Sequence, residues 1–286
     1  MFKRVEKKYI ALLVLIIFVV GILFIVFIQP KSNIMKVVFL DIGQGDSIFI
    51  QAPNGTQMLV DGGRGASVLS ALGRVMPFGD RSIDVVIGTH PDADHIGGLV
   101  DVLENYSVDS FIEPGAQSKS KIYQTLETSI DEKNISHVVG RAGMRIILDK
   151  EKNVYFDILY PDRDVNGWET NDASIVGKLV YGETSVMLTG DSPKEKELYL
   201  VNKKKEQLDV DILKLGHHGS RTSSSIAYLK AASPALAIIS AGLNNSYGHP
   251  HKETLNNLES LGIPYFATYE KGTIVCDSDA FTILCN

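Results

Sequence analysis

Between the apolar run Val85-Val86-Ile87-Gly88 and the pair Gly97-Gly98, the chain places two imidazoles and two carboxylates within six residues: His90, Asp92, Asp94 and His95. A loop leaving a strand can aim alternate side chains at one point, and the glycines let the backbone turn tightly into a helix. The segment therefore demands a strand–loop–helix unit with metal-ligating side chains at the strand's C-terminal end. The blander reading is a polar loop in which Asp92 or Asp94 caps a helix starting near His95. Capping accounts for one carboxylate, not for four donors. The other histidines favour the first reading: His90 and His95, His217 and His218, and His249 and His251 form three short clusters, and only His137 stands alone.

Apolar runs alternate with helical patterns along the chain. Strands are predicted at 36–42, 46–52, 57–60, 85–88, 110–112, 136–139, 145–148, 154–160, 174–181, 185–188, 212–215 and 236–240, with three more after residue 261. Asn54-Gly55 reads as a hairpin turn between the second and third strands. Helices are predicted at 66–75, 95–103, 121–132, 193–202, 224–231 and 253–261. Each candidate ligand follows the C-terminal end of a strand, where open sheets place their sites. Two halves that each cover a sheet with helices predict a four-layer αβ/βα sandwich.

The N-terminus carries a different signal. Residues 9–28 are an unbroken apolar run of the length that spans a bilayer as a helix. Lys3, Arg4, Lys7 and Lys8 precede it, only Lys31 closely follows, and no small-residue cleavage site is visible. The expected organisation is a basic cytoplasmic N-terminus (1–8), a single-pass transmembrane anchor (9–28), a linker (29–35) and an extracytoplasmic hydrolase domain (36–286) in the cell membrane. Residues 1–31 hold five of the 28 basic and one of the 34 acidic side chains, which leaves the remainder a net charge of −10. So acidic a body gains nothing from its overall field on meeting a polyanion. Cys276 and Cys285 flank a turn signal, but a four-residue turn after Cys276 leaves Cys285 out of register, so two separate buried thiols are expected.

Further motifs follow in chain order: Leu40-Asp41-Ile42-Gly43-Gln44-Gly45-Asp46-Ser47, Leu59-Val60-Asp61-Gly62-Gly63, Thr170-Asn171-Asp172-Ala173-Ser174, Leu188-Thr189-Gly190-Asp191, Lys214-Leu215-Gly216-His217-His218-Gly219-Ser220 and Ser246-Tyr247-Gly248-His249-Pro250. Together with the His-rich loop, they resemble the metallo-β-lactamase superfamily, and within it a stand-alone relative of the ComEC competence-protein domain. The resemblance covers nearly all of 36–286. It implies the αβ/βα sandwich and a hydrolase with two divalent metal ions, Zn or Mn. Two features depart from the family: Asp92 stands where the usual motif has His, and one span cannot form the ComEC channel.

On this resemblance Asp94, His95, Asp191 and His217 hold one ion, while His90 and Asp92 hold a second that shares Asp191. Asp94 and His249 are the candidate catalytic residues, with His249 binding phosphate or protonating the leaving oxygen. Asp41, Asp46, Asp61, Asn171, Asp172, Ser174, His218 and Ser220 are expected to contact substrate or support the ligands, His218 in a structural role. Lys119, Lys121, Lys214 and Arg221 are the candidate cations for a phosphate. Two ions suit a phosphodiester, because they activate water and neutralise phosphoryl charge. The expected function is a phosphodiesterase or nuclease acting on DNA, oligonucleotides or nucleotides. The alternatives are hydrolysis of a non-nucleotide ester, amide or thioester, and a non-catalytic binding module of an envelope or DNA-uptake complex.

Overall fold

The computed structural model describes residues 2–27 and 33–286, with side chains of the N-terminal helix described for residues 8–21. The chain divides into two units, Met1–Ser32 and Asn33–Asn286. In the first, α1 spans Phe2–Phe27 and its side chains from Tyr9 to Val20 are exposed. The expected anchor over 9–28 is not supported: among the described residues no helix is long and apolar enough to cross a membrane. The single-pass membrane localisation built on that anchor falls with it. Ile28 and linker residues 29–32 lie outside the described residues.

In the second unit, β1 (Met35–Phe39), β2 (Ile48–Gln51) and β3 (Gln57–Val60) form an antiparallel meander. The Asn54-Gly55 turn joins the last two, with Gly55 at φ +97° and the Thr56 amide donating to Asn54 Oδ1 at 2.9 Å. The strands read as continuous apolar runs because both faces are covered. Val37, Phe39, Ile48, Ile50, Met58 and Val60 face one core while Val38, Phe49 and Leu59 face another. Burying each such side chain contributes roughly 1.5–3 kcal/mol.

After α2 (Ser67–Val75) the sheet continues in parallel. It gains β4 (Ser82–Ile87), α3 (Ala93–Asn105), β5 (Ser107–Glu113), α4 (Lys121–Glu132) and β6 (Ser136–Val139). Helix α3 buries His95, Ile96, Leu99, Val102 and Leu103, the spacing of one apolar helical face. The second sheet opens antiparallel with β7 (Arg145–Asp149), β8 (Val154–Tyr160), β9 (Val176–Tyr181) and β10 (Thr184–Leu188). It continues in parallel through α5 (Lys194–Lys204), β11 (Ile212–Lys214), α6 (Ile226–Ala232), β12 (Leu236–Ile239), α7 (Lys252–Leu261) and β13 (Tyr265–Ala267). After the short α8 (Thr268–Lys271), β14 (Ile274–Ser278) and β15 (Ile283–Cys285) return to the first sheet, whose order is β15-β14-β1-β2-β3-β4-β5-β6.

One core lies between the sheets and one lies under each helical layer, which makes the αβ/βα sandwich. The cysteines differ from expectation, because Cys276 and Cys285 are joined in a disulfide. Strand β14 runs on to Ser278, so the turn begins at Asp279 and the Ser278↔Ile283 pairing sets Cys276 opposite Cys285.

Candidate metal centre

Each sheet turns parallel exactly where its site residues emerge, so consecutive C-terminal strand ends share one edge. In the first sheet Val60 pairs with Ile87, which puts Asp61 beside the loop 89–95. Asp61 is fully buried, at φ +60°, and its carboxylate accepts from the Thr89 amide (2.8 Å) and the Thr89 hydroxyl (2.7 Å) and bonds His95 Nδ1 (2.8 Å). The glycines serve close approach. A Cβ on Gly45 would lie 2.1 Å from the Asp94 carbonyl oxygen, and one on Gly98 would lie 2.1 Å from that of Gly62, both shorter than any real contact. Helix α3 can therefore seat His95 directly against the strand-end loops.

In the second sheet Asp191 follows β10, and His217 and His218 follow β11. Both histidines sit in left-handed backbone, at φ +49° and +54°. That conformation costs a non-glycine residue about 1–2 kcal/mol, and each is held by its surroundings. The His217 amide donates to the Gly190 carbonyl at 3.1 Å, His217 Nδ1 bonds the Thr222 hydroxyl at 3.1 Å, and His218 Nδ1 bonds Asp46 Oδ1 at 3.1 Å. Asp46 in turn pairs through Oδ2 with the fully buried Lys214.

With every Nδ1 engaged, four Nε2 atoms point at one carboxylate. Asp191 lies 3.1 Å from His95 Nε2, 3.5 Å from His217, 3.6 Å from His218 and 4.0 Å from His90. Asp94 stands 3.5 Å from His218 Nε2, and Asp92 3.6 Å from His90 Nε2. Nε2 of His90, His95 and His218 and Oδ1 of Asp191 are buried without a well-aligned hydrogen-bond partner. Four such orphans in one cluster cost about 1–3 kcal/mol each, unless a cation coordinates them. The donor set of imidazole nitrogens and carboxylates fits a divalent metal.

The electrostatics agree. Burial opposes charge on His95 and His218, yet Asp191 with Asp61 holds the first well above its usual range, and Asp191 with Asp46 lifts the second to about 9. Asp191 is held well below the carboxylate range by His218 and His95 despite its burial. Burial pushes Asp92 up against a hydrogen bond from Thr170. Burial, then His95, lowers His90 to about 4, and burial lowers His217. His249 is also pushed to about 4 by burial, then by His217.

The remaining sequence candidates scatter. Ser174 Oγ accepts from the Asp191 amide at 3.2 Å, and Asn171 Oδ1 is buried without a partner. Asp172 turns away to Lys196 at 3.2 Å. Asp41 is exposed and accepts from the Gly43 amide at 3.3 Å. Ser220 accepts from the Thr222 hydroxyl at 3.0 Å, which places it behind His217. His249 lies against His217, with ring centroids 5.3 Å apart, and Tyr247 stacks on it. Lys214 cannot meet a phosphate, since Asp46 holds it inside the protein. Its position within the apolar run 212–215 was the available signal of burial. Thr89 and Thr222 escaped sequence reasoning, because nothing local marks which hydroxyl will orient an imidazole.

Residues 40–242 match the family model described as Metallo-beta-lactamase superfamily. The chain is 34% identical to ComE operon protein 3 of Bacillus subtilis over 272 residues, covering 88% of this chain and 34% of that protein. It is 30% identical to Recombination protein 2 of Haemophilus influenzae over 240 residues, covering 82% and 28% respectively. It therefore spans about a third of the length of these curated relatives, which are of the ComEC competence type. Among solved structures, Igni18, a metallo hydrolase from Ignicoccus hospitalis, superposes with a TM-score of 0.52 at 12% identity, over 84% of this chain and 98% of that one. That likeness concerns the fold alone.

Proposed function

This chain belongs to the metallo-beta-lactamase superfamily and is a metal-dependent hydrolase, and from that premise we propose that it cleaves phosphodiesters in DNA, oligonucleotides or nucleotides. The convergence of four imidazoles on Asp191, with Asp92 and Asp94 beside two of them, carries the reading, in a chain whose relatives are competence proteins. Asp94, His95, Asp191 and His218 would hold one divalent ion. His218 takes the place that the sequence alone assigns to His217, because its buried Nε2 faces both Asp94 and Asp191. His90 and Asp92, with Asp191 shared, would hold the second, and His217 borders it. When bound, such a pair polarises a phosphoryl oxygen and lowers the pKa of an attacking water.

The chain's own residues supply the rest. Asp61 and Asp46 hold His95 and His218 in one orientation, and Thr89 and Thr222 do the same for His90 and His217. A pKa of about 4 keeps the His249 ring neutral near pH 7, which suits it to hydrogen-bond a phosphoryl oxygen rather than to protonate a leaving group. Arg221 is exposed on the loop that follows His217 and His218, where its amide donates to His251 Nδ1 at 3.1 Å, and it is the candidate cation on that loop. With the excess of acidic side chains, this favours short or single-stranded substrates over long duplexes.

The test is a metal-stripped chain assayed on bis(p-nitrophenyl) phosphate, single-stranded DNA, a nitrophenyl ester and a β-lactam. Asp92 adds a hard oxygen donor, so Mn²⁺ should restore diester cleavage better than Zn²⁺, and Asp92→His should shift the preference toward Zn²⁺. Ester or β-lactam turnover with inert diesters would refute the substrate class. Full rescue by Zn²⁺ with none by Mn²⁺ would refute the hard-site argument.

A further inference from the structure

Carboxylates and an imidazole meet a second time on the helix-covered face of the first sheet. Glu113 ends β5, Glu127 stands on α4, and His137 lies on β6, where the register sets it opposite Phe111. His137 Nε2 is 3.4 Å from Glu113 Oε1 and 4.0 Å from Glu127 Oε1, and the three donor atoms lie within 4.8 Å of one another. The edge of a tetrahedron with metal–ligand bonds of ~2.1 Å is about 3.4 Å, so one edge already has that length and another must shorten slightly. Glu113 is 7% exposed, and Glu127 Oε1 is sealed from water with no hydrogen-bond partner.

No lysine or arginine figures among the charges acting on this cluster. Burial and then Glu113 push Glu127 upward, and Asp131 adds to that effect. The Tyr123 phenol is raised by burial and by both glutamates. His137 is raised mainly by its bond to Glu113, and Glu127 and Asp131 act in the same direction. The pocket is short of positive charge, and an orphaned oxygen faces its imidazole. It also lies where the sheet is weakest, since β6 is an edge strand that pairs only with β5.

We propose that Glu113, Glu127 and His137 bind a divalent cation of the zinc class, separate from the centre around Asp191, which fastens the edge strand β6 to α4. Imidazole and carboxylate donors from three elements suit Zn²⁺. The cation stabilises the domain without entering the reaction. The rival arrangement is an imidazolium bridging two carboxylates with no metal.

The experiment uses the full chain, stripped with chelator, re-equilibrated with Zn²⁺ and analysed by elemental mass spectrometry and thermal unfolding. Glu127→Gln and His137→Gln should each lose one zinc equivalent and keep diester hydrolysis within about twofold of the parent. An Asp191→Ala chain should retain one equivalent, and Zn²⁺ should raise its Tm by about 5 °C. Adding Glu127→Gln should abolish both effects. If His137→Gln fails to fold, the Glu127→Gln pair, altered only at a half-exposed helix position, still decides. An Asp191→Ala chain that binds no zinc, or a Glu127→Gln chain with the full complement, would overturn the proposal. Neither result bears on which substrate is cleaved.

Discussion

The two sheets build opposite walls of one centre by different means. The first contributes His90 and His95, both buried in ordinary loop and helix backbone, with His95 locked by the carboxylate of Asp61. The second contributes His217 and His218 in left-handed backbone. His217 is a quarter exposed and held by a single exposed hydroxyl, and half-buried His249 lies beyond it. The difference identifies a fixed wall, preorganised by buried charge, and a second wall on which Asp46 fixes His218 in the same way while the partly exposed His217 and His249 form an adjustable outer part. Strain is tolerated on the second wall because Gly190, Asp46 and Thr222 over-determine its backbone and rings.

The sharpest way to break this division is at Asp191, where the walls meet. Asp191→Ala should lower diester hydrolysis on the order of 10³-fold or more and release the metal of the centre. Retention of that metal, read by elemental analysis and activity together, would remove Asp191 from its central place. Asp61→Asn should come next, at about 10–100-fold in metal affinity or rate, since it disrupts three hydrogen bonds that fix the first wall. Thr222→Val should cost less, about 2–10-fold, because only a neutral hydrogen bond to His217 is lost. If titrations showed Thr222→Val to be as damaging as Asp61→Asn, the contrast between the fixed wall and the adjustable outer part would be wrong.

A further effect concerns stability rather than rate. Glu197 on α5 accepts from the amides of Ser224 and Ser225 and so supports the second wall from behind. Burial raises its pKa to about 7 from 4.5, against those hydrogen bonds. A carboxyl raised in the folded state contributes stability that is complete below its unfolded value of about 4.5 and is lost as pH climbs through 7, a change of about 3 kcal/mol. The Tm of the wild type should therefore fall from pH 5 to pH 8 relative to Glu197→Gln. A constant difference across that range would show that Glu197 does not titrate there.

The elements best read in advance were those whose local signals agree with their environment. The helix at 121–132 and the strands at 57–60, 136–139 and 154–160 match to the residue, since period, caps and flanking turns coincide there. Strand starts elsewhere shift by a few residues, as at 82–87, where Ser82 and Asp84 flank the single buried Ile83 and interrupt the apolar run. The anchor expected from the apolar N-terminal run is a reading that does not carry over, since among the described residues no helix is long and apolar enough to cross a membrane.

By itself the sequence determined which residue types reach the centre and from which strand ends, because period and turn chemistry are local. Alternating apolar runs fixed the sandwich for the same reason. Tertiary structure alone decided that His218, rather than its neighbour His217, meets Asp94 as well as Asp191, since that facing depends on how distant loops pack and no propensity foretells it. It also decided that Lys214 serves Asp46, that Cys276 meets Cys285, and that the solitary His137 joins two glutamates. Each of these is a pairing between residues distant in the chain or set by strand register. Such distances follow from how the layers pack, which a local pattern does not encode.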